Sequence, residues 1–206
     1  MTDTIFWDVD TQIDFLNPNG KLYVPESELI LGKLSELTRF GAKHARLLGS
    51  VDAHIPRSRE FRDWPEHCVY GTPGQRKIPE STSGKPLWIP RTRLTGSQLS
   101  EVRDFEGQVI FEKDENDVRT NPNATSFLAL INPDVIVIYG VVSEICVDLA
   151  VNYLRRDLGY RCVVAIDSIK EINKAEARQC LANWKKLDVG LVKTADIISG
   201  KILASL

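Results

Sequence analysis

The residues best suited to chemistry follow or end predicted strands. Asp10 ends a run of apolar residues near the amino terminus, Lys113 ends a second run, and Cys146 follows a third. A nearby cation or a helix amino terminus lowers the pKa of a thiol, and a carboxylate can accept its proton. An acid, a cation and a thiol at one sheet edge therefore predict nucleophilic catalysis.

Each of these residues also has a simpler interpretation. A single cysteine near a helix start is often a small buried hydrophobic residue, and Lys113 lies in a charged run typical of a solvated turn. Asp8 and Asp14 compete with Asp10 for the role of the acid, and spacing alone does not choose among the three.

A second cluster follows another predicted strand and combines two imidazoles with two carboxylates. Its members are Asp52, His54, Glu60 and His67. Asp52 and His54 are two residues apart, so they share a face if the segment is extended. These donors suit a divalent cation, with Zn²⁺ first and Fe²⁺ or Mn²⁺ as alternatives. Otherwise the two histidines hydrogen-bond to loop backbone.

The elements that would position these residues alternate between strand and helix. Six short β-rich runs predict strands at 4–9, 45–51, 108–112, 134–139, 161–166 and 189–192. Helical patterns occupy 26–47, 143–156, 174–187 and 195–204. Such alternation predicts a three-layer α/β/α, Rossmann-like fold with a six-stranded parallel sheet, and ligands bind such sheets at the carboxyl ends of their strands.

A long loop interrupts this alternation between positions 53 and 90 and contains six of the ten prolines. Loops of this length in compact domains are often functional. Trp64 lies there, three residues before His67, and Phe15 lies just after the first strand. Both rings are candidate walls for a flat substrate. The alternative is that Trp64 anchors the proline-rich loop.

Composition bounds the class of protein. The chain has 206 residues, a formal net charge of -2 and a pI of about 6.0, which does not favour nucleic-acid binding. The apolar runs are strand-sized, so we expect no membrane span, and the amino terminus does not resemble a secretory signal. The remaining cysteines are interpreted as reduced and structural in a cytoplasmic protein: Cys68, Cys162 and Cys180.

Several segments resemble those of the isochorismatase-like cysteine hydrolases, and of their nicotinamidase (pyrazinamidase) branch in particular. Segment 9–15 (VDTQIDF) resembles the first-strand signature, and 20–25 (GKLYVP) resembles the segment after it. Asp52-Ala53-His54 with 64–74 (WPEHCVYGTPG) resembles the metal loop, and 140–147 (GVVSEICV) resembles the nucleophile motif. The resemblance runs in order from about position 5 to the last helix, so it implies one domain over 1–206.

The resemblance implies a role for each matching residue. Asp10 would shuttle the proton, Lys113 would hold the cysteine as thiolate, and Cys146 would attack the amide carbonyl. The backbone N–H groups of Val142 and Cys146 would form the oxyanion hole, with a cis peptide bond between Val141 and Val142. The metal ligands would be Asp52, His54, Glu60 and His67, and the substrate would contact Phe15, Trp64 and Val141.

The implied reaction is hydrolysis of nicotinamide to nicotinate and ammonia, a step of pyridine nucleotide salvage, in a cytoplasmic homo-oligomer. The cation would bind the pyridine nitrogen. Two departures matter: Glu60 stands where some nicotinamidases have a histidine, and the run after Lys113 is unusually acidic.

Three alternatives stay open. The first is a metal-free relative that acts on another amide, on an N-carbamoyl compound or on isochorismate. The second is a non-catalytic small-molecule-binding protein, and the third is a structural metal module.

Overall fold

A computed structural model describes residues 3–200. Seven strands form one sheet, in the spatial order β3-β4-β2-β1-β5-β6-β7, and every neighbouring pair is parallel. The strands are β1 (Thr4–Val9), β2 (Arg46–Asp52), β3 (Leu87–Ile89), β4 (Val109–Lys113), β5 (Val135–Val141), β6 (Arg161–Lys170) and β7 (Gly190–Val192). Helices cover both faces, so the predicted three-layer parallel fold is confirmed.

The predicted number of strands was one too low. The additional strand, β3, is three residues long and lies at the edge of the sheet, where it pairs with β4. It lies near the end of the segment predicted as a proline-rich loop, and three residues are too few for an alternation of apolar and polar positions to be recognised. The six predicted strands are all present within a few residues of their expected bounds.

In the described residues, seven α-helices connect or flank the strands. They are α1 (Ile13–Leu16), α2 (Leu31–His44), α3 (Gly96–Asp104), α4 (Ala124–Ile131), α5 (Asp148–Val151), α6 (Lys174–Lys186) and α7 (Thr194–Ile198). Two π-helical stretches, Ser143–Val147 and Asn152–Asp157, continue α5 in both directions. We call this continuous segment, 143–157, the nucleophile helix. None of the helices in the described part of the chain has the length and apolarity needed to cross a bilayer.

Several helix bounds differ from the sequence prediction. The predicted helix 26–47 begins with a 3₁₀ turn, Ser27–Ile30, and ends at His44, because the chain enters β2 at Arg46. Helices α3 and α4 were not predicted. The last predicted helix, 195–204, corresponds to α7, which begins one residue earlier and ends at Ile198. Positions 201–204 of the prediction lie outside the described part of the chain.

The side chains of β1 alternate between the two faces of the sheet, and this explains how the sheet packs on both sides. Trp7 points to the face covered by the nucleophile helix and α6, where it stacks on Phe111 with ring centroids 5.8 Å apart. Phe6 points to the opposite face and packs with Leu34 and Leu37 of α2. Burial on both faces is expected for a parallel sheet, and it fixes the positions of the strand ends.

Candidate active site

Four neighbouring strands bring the predicted reactive residues together. Asp10 follows β1, Asp52 ends β2, Lys113 ends β4, and Cys146 follows β5. The spatial order of these strands is β4-β2-β1-β5, and Asp52 is the register partner of Lys113. The chain leaves β1 toward one edge of the sheet and β5 toward the other, so the crevice between them is the usual ligand site of such a sheet.

The backbone turns at Asp10 so that its carboxylate faces the crevice. Its φ is 49°, in the left-handed region that aspartate tolerates better than most residues. The Asp10 N–H donates to the Ser50 carbonyl at 3.1 Å, and the Ser50 hydroxyl donates to Asp10 Oδ1 at 2.9 Å. β2 therefore holds both the backbone and the side chain of the candidate acid.

Lys113 is the cation at the centre of the cluster. Its Nζ lies 2.9 Å from Asp10 Oδ2, contacts Asp52 Oδ1, and lies 3.9 Å from Cys146 Sγ. Its side chain is only 1% exposed. Burial alone would lower the pKa of Lys113, but the two carboxylates outweigh burial and raise that pKa well above its ordinary value. The group therefore stays charged.

Cys146 lies in a buried site with three charged neighbours. Burial raises the pKa of Cys146 well above its ordinary value, the charge of Lys113 lowers it, and the charges of Asp10 and Asp52 raise it further. The role of Lys113 in holding the thiolate stays a prediction. Burial also raises the pKa of Asp10, which hydrogen-bonds to the thiol. The carboxylate is therefore positioned to accept that proton when the sulfur attacks.

The two predicted metal-ligating histidines, His54 and His67, both direct Nε2 into the same space. His54 Nδ1 lies 2.8 Å from the Asp114 carbonyl, and His67 Nδ1 lies 2.7 Å from the Pro65 carbonyl. Because a carbonyl oxygen only accepts, each Nδ1 carries the proton, and each Nε2 keeps its lone pair. Such outer hydrogen bonds are typical of metal-binding histidines. The Nε2 atoms of His54 and His67 face the same space as the carboxylates of Asp52 and Glu60.

The spacing of these donor atoms fits one divalent cation. Asp52 Oδ2 lies 3.7 Å from His54 Nε2, while Glu60 lies 3.6 Å from His54 Nε2 and 3.8 Å from His67 Nε2. These separations are too long for hydrogen bonds. They are close to the roughly 3.4 Å between ligands held at about 2.1 Å around a tetrahedral ion.

Two of the donor atoms are buried without a hydrogen-bond partner in the described part of the chain: Asp52 Oδ2 and His54 Nε2. Buried polar atoms normally have partners, so this pair indicates that a ligand is to be supplied. Ligand atoms of Asp52, His54 and His67 lie within 4.8 Å of one another, and Glu60 reaches both imidazoles from the side. Burial and the charge of Asp52 raise the pKa of Glu60 to about 7, a cost that a bound cation would offset.

A narrow pocket lies between two of the candidate metal ligands, Glu60 and His67, and the Cys146 thiol. Its walls include Phe15 and Trp64, as predicted, and Val142. The cis peptide bond between Val141 and Val142 is present. Val141 itself is fully buried within β5 and is not among the described residues that line the pocket, and its contact with substrate stays a prediction.

Among the site residues that were not predicted, three make contacts with predicted ones. Phe61 packs against both imidazoles, with ring centroids 5.3 Å from His54 and 5.7 Å from His67. Asn116 lines the pocket, and its Oδ1 lies 3.9 Å from the thiol sulfur. Gln12 holds the end of β2, which carries Asp52, in place. The sequence signal for each was its position one to three residues from a predicted site residue.

The Gln12 side chain links three segments. Its Oε1 accepts from the Asp52 N–H at 2.7 Å, and its Nε2 donates to the Asp52 carbonyl at 2.8 Å and to the Gln75 carbonyl at 2.7 Å. The amide therefore acts as an additional peptide group at the end of β2. It connects the segment that carries Asp10 to a metal ligand and to the long loop.

A second buried ion pair lies outside the pocket. Lys77 Nζ donates to Asp8 Oδ2 and to Thr11 Oγ1, each at 2.6 Å. The Thr11 hydroxyl also lies 2.8 Å from Asp8 Oδ1 and 2.6 Å from Ser81 Oγ. We call Asp8, Thr11, Lys77 and Ser81 the Lys77 cluster. It fastens the long loop to β1.

The chain is similar to nicotinamidases and their relatives in sequence and in structure. No family model matches it. A nicotinamidase of Saccharomyces cerevisiae (strain ATCC 204508 / S288c) is 26% identical over 190 residues, which cover 80% of this chain and 87% of that protein. The crystal structure of a pyrazinamidase of Pyrococcus horikoshii in complex with zinc superposes with a TM-score of 0.72 and 25% identity, over 93% of this chain and 99% of that one.

The fold is shared with a wider group of enzymes. An isochorismatase-like hydrolase of Alkaliphilus metalliredigens superposes with a TM-score of 0.78 at 18% identity, over 96% of this chain and 98% of that one. The likeness thus spans nearly the whole described chain and includes both a sequence relative and solved structures. The chain thus shares the fold of an isochorismatase-like hydrolase and is similar in sequence to a nicotinamidase and a pyrazinamidase.

Proposed function

We propose that this protein hydrolyses the carbon–nitrogen bond of a small aromatic amide, with nicotinamide as the first candidate. The observation that carries the proposal is the buried cluster of Asp10, Lys113 and Cys146 beside an aromatic pocket and a set of metal-ligating side chains. The sequence similarity to a nicotinamidase supports the same reaction.

The proposed first half-reaction is acylation of Cys146. Asp10 accepts the thiol proton as Sγ adds to the amide carbonyl carbon, and the backbone N–H groups of Val142 and Cys146 stabilise the oxyanion. The carbon–nitrogen bond then breaks, and Asp10 returns the proton to the departing nitrogen. Ammonia and a thioester result. Lys113 stays cationic throughout and stabilises negative charge on the sulfur and on Asp10.

The second half-reaction is hydrolysis of the thioester. Asp10 accepts a proton from a water molecule, whose oxygen adds to the thioester carbon. The carbon–sulfur bond breaks, the sulfur of Cys146 regains a proton, and the carboxylic acid leaves as its anion with release of one proton.

The metal-ligating side chains serve substrate binding in this proposal. Asp52, His54, Glu60 and His67 would hold a divalent cation, with Zn²⁺ as the first choice because the set combines imidazole nitrogens with carboxylates. When bound, the cation supplies a Lewis acid for the ring nitrogen of the substrate. Phe15 and Trp64 line the space between that position and the thiol, so they would hold the flat ring.

The test measures ammonia release from nicotinamide by the purified protein, with metal content determined on the same sample. We expect ammonia and nicotinate in equal amounts and about one metal ion per site. His54→Ala should lower the metal content and raise KM, because it removes one of the metal ligands. His44→Ala, on α2 away from the pocket, is the matched control and should change neither.

Two results would reject parts of the proposal. If nicotinamide and pyrazinamide both yield no ammonia with metal-loaded protein, the proposed reaction is wrong. If His54→Ala retains full metal content and a normal KM, the assignment of the metal ligands is wrong even if the enzyme is active.

A further inference from the structure

Asn116 occupies a position in the pocket to which the proposed reaction gives no role. It lies three residues after the end of β4, is half-buried, and lines the pocket. Its Oδ1 lies 3.9 Å from Cys146 Sγ, the same distance that separates Sγ from Lys113 Nζ. The side-chain amide therefore lies beside the atom that would attack the substrate.

The rest of the pocket wall has little polar character. Glu60 and His67 lie at the metal end, and Cys146 is the nucleophile. The other described lining residues are hydrophobic: Phe15, Leu22, Trp64, Val142, Ile145 and Ile172. Asn116 is thus the one neutral side chain with a carbonyl acceptor among the described wall residues.

The sulfur does not need Asn116 for its activation. The thiol donates to Asn116 Oδ1 at 3.9 Å, and it is also within hydrogen-bond reach of Asp10. Asp10 is a far stronger proton acceptor than an amide oxygen, while Lys113 supplies the positive charge. An amide oxygen close to the sulfur would oppose formation of the thiolate if it acted on the sulfur alone. Once the thiol proton has moved to Asp10, Asn116 Oδ1 can accept a hydrogen bond from a bound substrate.

The distances place the leaving group of the substrate near Asn116. A carbonyl carbon approaches its nucleophile to about 3–3.5 Å before attack. The amide nitrogen is bonded to that carbon at about 1.33 Å. A group 3.9 Å from the sulfur therefore lies within hydrogen-bond reach of that nitrogen in an accessible orientation of the substrate.

We propose that Asn116 accepts a hydrogen bond from the N–H of the amide being cleaved, and so selects carboxamides over the corresponding esters. This inference rests on the proposed function. A carboxamide has N–H donors to offer, whereas the alkoxy oxygen of an ester is only an acceptor. A site built to hydrogen-bond a substrate group rejects an analogue that lacks the group. Asn116 is then a specificity residue, distinct from the groups that activate the sulfur.

The test compares kcat/KM for nicotinamide and for methyl nicotinate, which would form the same thioester on Cys146. The variants are Asn116→Ala and Asn116→Leu, of which the second keeps the branching and the number of heavy atoms of the side chain. We expect both to lose about 10- to 100-fold on the amide and less than about threefold on the ester. Glu115→Ala, an exposed neighbour, is the matched control and should change neither value.

The outcomes separate the two proposals. An equal loss on amide and ester would overturn the inference, because it would mean that Asn116 supports the nucleophile or the fold. Unchanged activity on both substrates, or rescue of the amide rate by leucine, would also overturn it. If the unmodified protein releases no ammonia from nicotinamide, the proposed function fails, and the inference fails with it. If the ratio of amide to ester activity falls in both variants, the inference holds.

Discussion

Two lysines are buried at one end of this sheet, and their surroundings differ in one respect. Lys77 and Lys113 have side chains only 2% and 1% exposed, and each ammonium group contacts carboxylate. Around Lys77, one carboxylate and two hydroxyls satisfy one another, and both oxygens of Asp8 accept hydrogen bonds. Around Lys113, two carboxylates and a thiol share one cation, and Asp52 Oδ2 has no hydrogen-bond partner in the described chain.

The difference indicates which cluster is structural and which is chemical. A buried network whose members all have partners rigidifies the chain and offers nothing to a ligand. A buried network with unpartnered atoms is costly unless something else is to bind there. The Lys77 cluster should therefore affect mainly the free energy of unfolding, and the Lys113 cluster mainly turnover. Three sets of substitutions test this comparison, from the largest expected effect to the smallest.

Removing the sulfur from the Lys113 cluster should have the largest effect. Cys146→Ala should lower kcat by roughly 10⁴-fold or more, because no other group can form the thioester. Circular dichroism, melting temperature and metal content should stay near those of the unmodified protein. Cys180→Ala, on α6, is the matched control and should keep full activity. Residual activity near normal in Cys146→Ala would remove the nucleophile from this site.

Removing the cation from the Lys77 cluster should act on stability. Lys77→Met leaves Asp8 buried without its charged partner, a change that costs about 3–5 kcal/mol of unfolding free energy. Denaturant unfolding measures this loss, while kcat/KM of the folded protein at low temperature should stay within about threefold.

The double variant Asp8→Leu with Lys77→Met sharpens this result. Replacing a whole buried ion pair by apolar residues of similar volume is often neutral or stabilising, so most of the lost stability should return. If Lys77→Met instead abolishes turnover in well-folded protein, the Lys77 cluster belongs to the chemistry and the comparison fails.

Removing one hydroxyl from each cluster gives the smallest and most closely matched test. Ser50→Ala deletes a donor to Asp10 Oδ1, and Thr11→Val deletes a donor to Asp8 Oδ1. Thr11→Val should cost about 1–3 kcal/mol of unfolding free energy with little change in kcat/KM. Ser50→Ala should lower kcat/KM by about tenfold.

The pH profile of Ser50→Ala gives an independent readout. A lost donor destabilises the carboxylate form, so the pKa of Asp10 should rise further above its ordinary value. Asp10 must be ionised to accept the thiol proton. The acidic limb of the kcat/KM profile should therefore move to higher pH by roughly half a unit to one unit. An unmoved limb would mean that another group controls it.

Much of the fold and part of the site could be predicted from sequence, for a physical reason. Long apolar strands alternating with helices leave one sensible arrangement, and their carboxyl ends meet at one edge. That placed Asp10, Lys113 and Cys146 in the same region, as the structure shows, although their catalytic roles stay predictions. Spacing could not separate Asp8 from Asp10, because both lie at the end of one strand.

The structure separates those carboxylates by local backbone geometry. Asp8 lies within β1 and pairs with Lys77, whereas the positive φ of Asp10 turns its side chain toward Lys113. Asp14, the third candidate, accepts the Cys68 N–H at 2.7 Å. The partners Lys77 and Cys68 lie in the proline-rich loop, whose path depends on tertiary contacts and not on a repeating pattern. For the same reason, neither β3 nor the position of Asn116 could be predicted from the sequence.

The Gln12 bridge has a consequence for redesign of the site. The side-chain amide of Gln12 hydrogen-bonds both to Asp52 at the end of β2 and to Gln75 in the long loop. Gln12 lies two residues after the backbone turn at Asp10. The pocket walls, by contrast, come from separate segments whose side chains carry no such backbone links, as with Phe15, Trp64 and Asn116. New substrate preferences can therefore be introduced by exchanging wall residues one at a time. Gln12 should be kept in every such variant, because its hydrogen bonds hold the end of β2 and the long loop together.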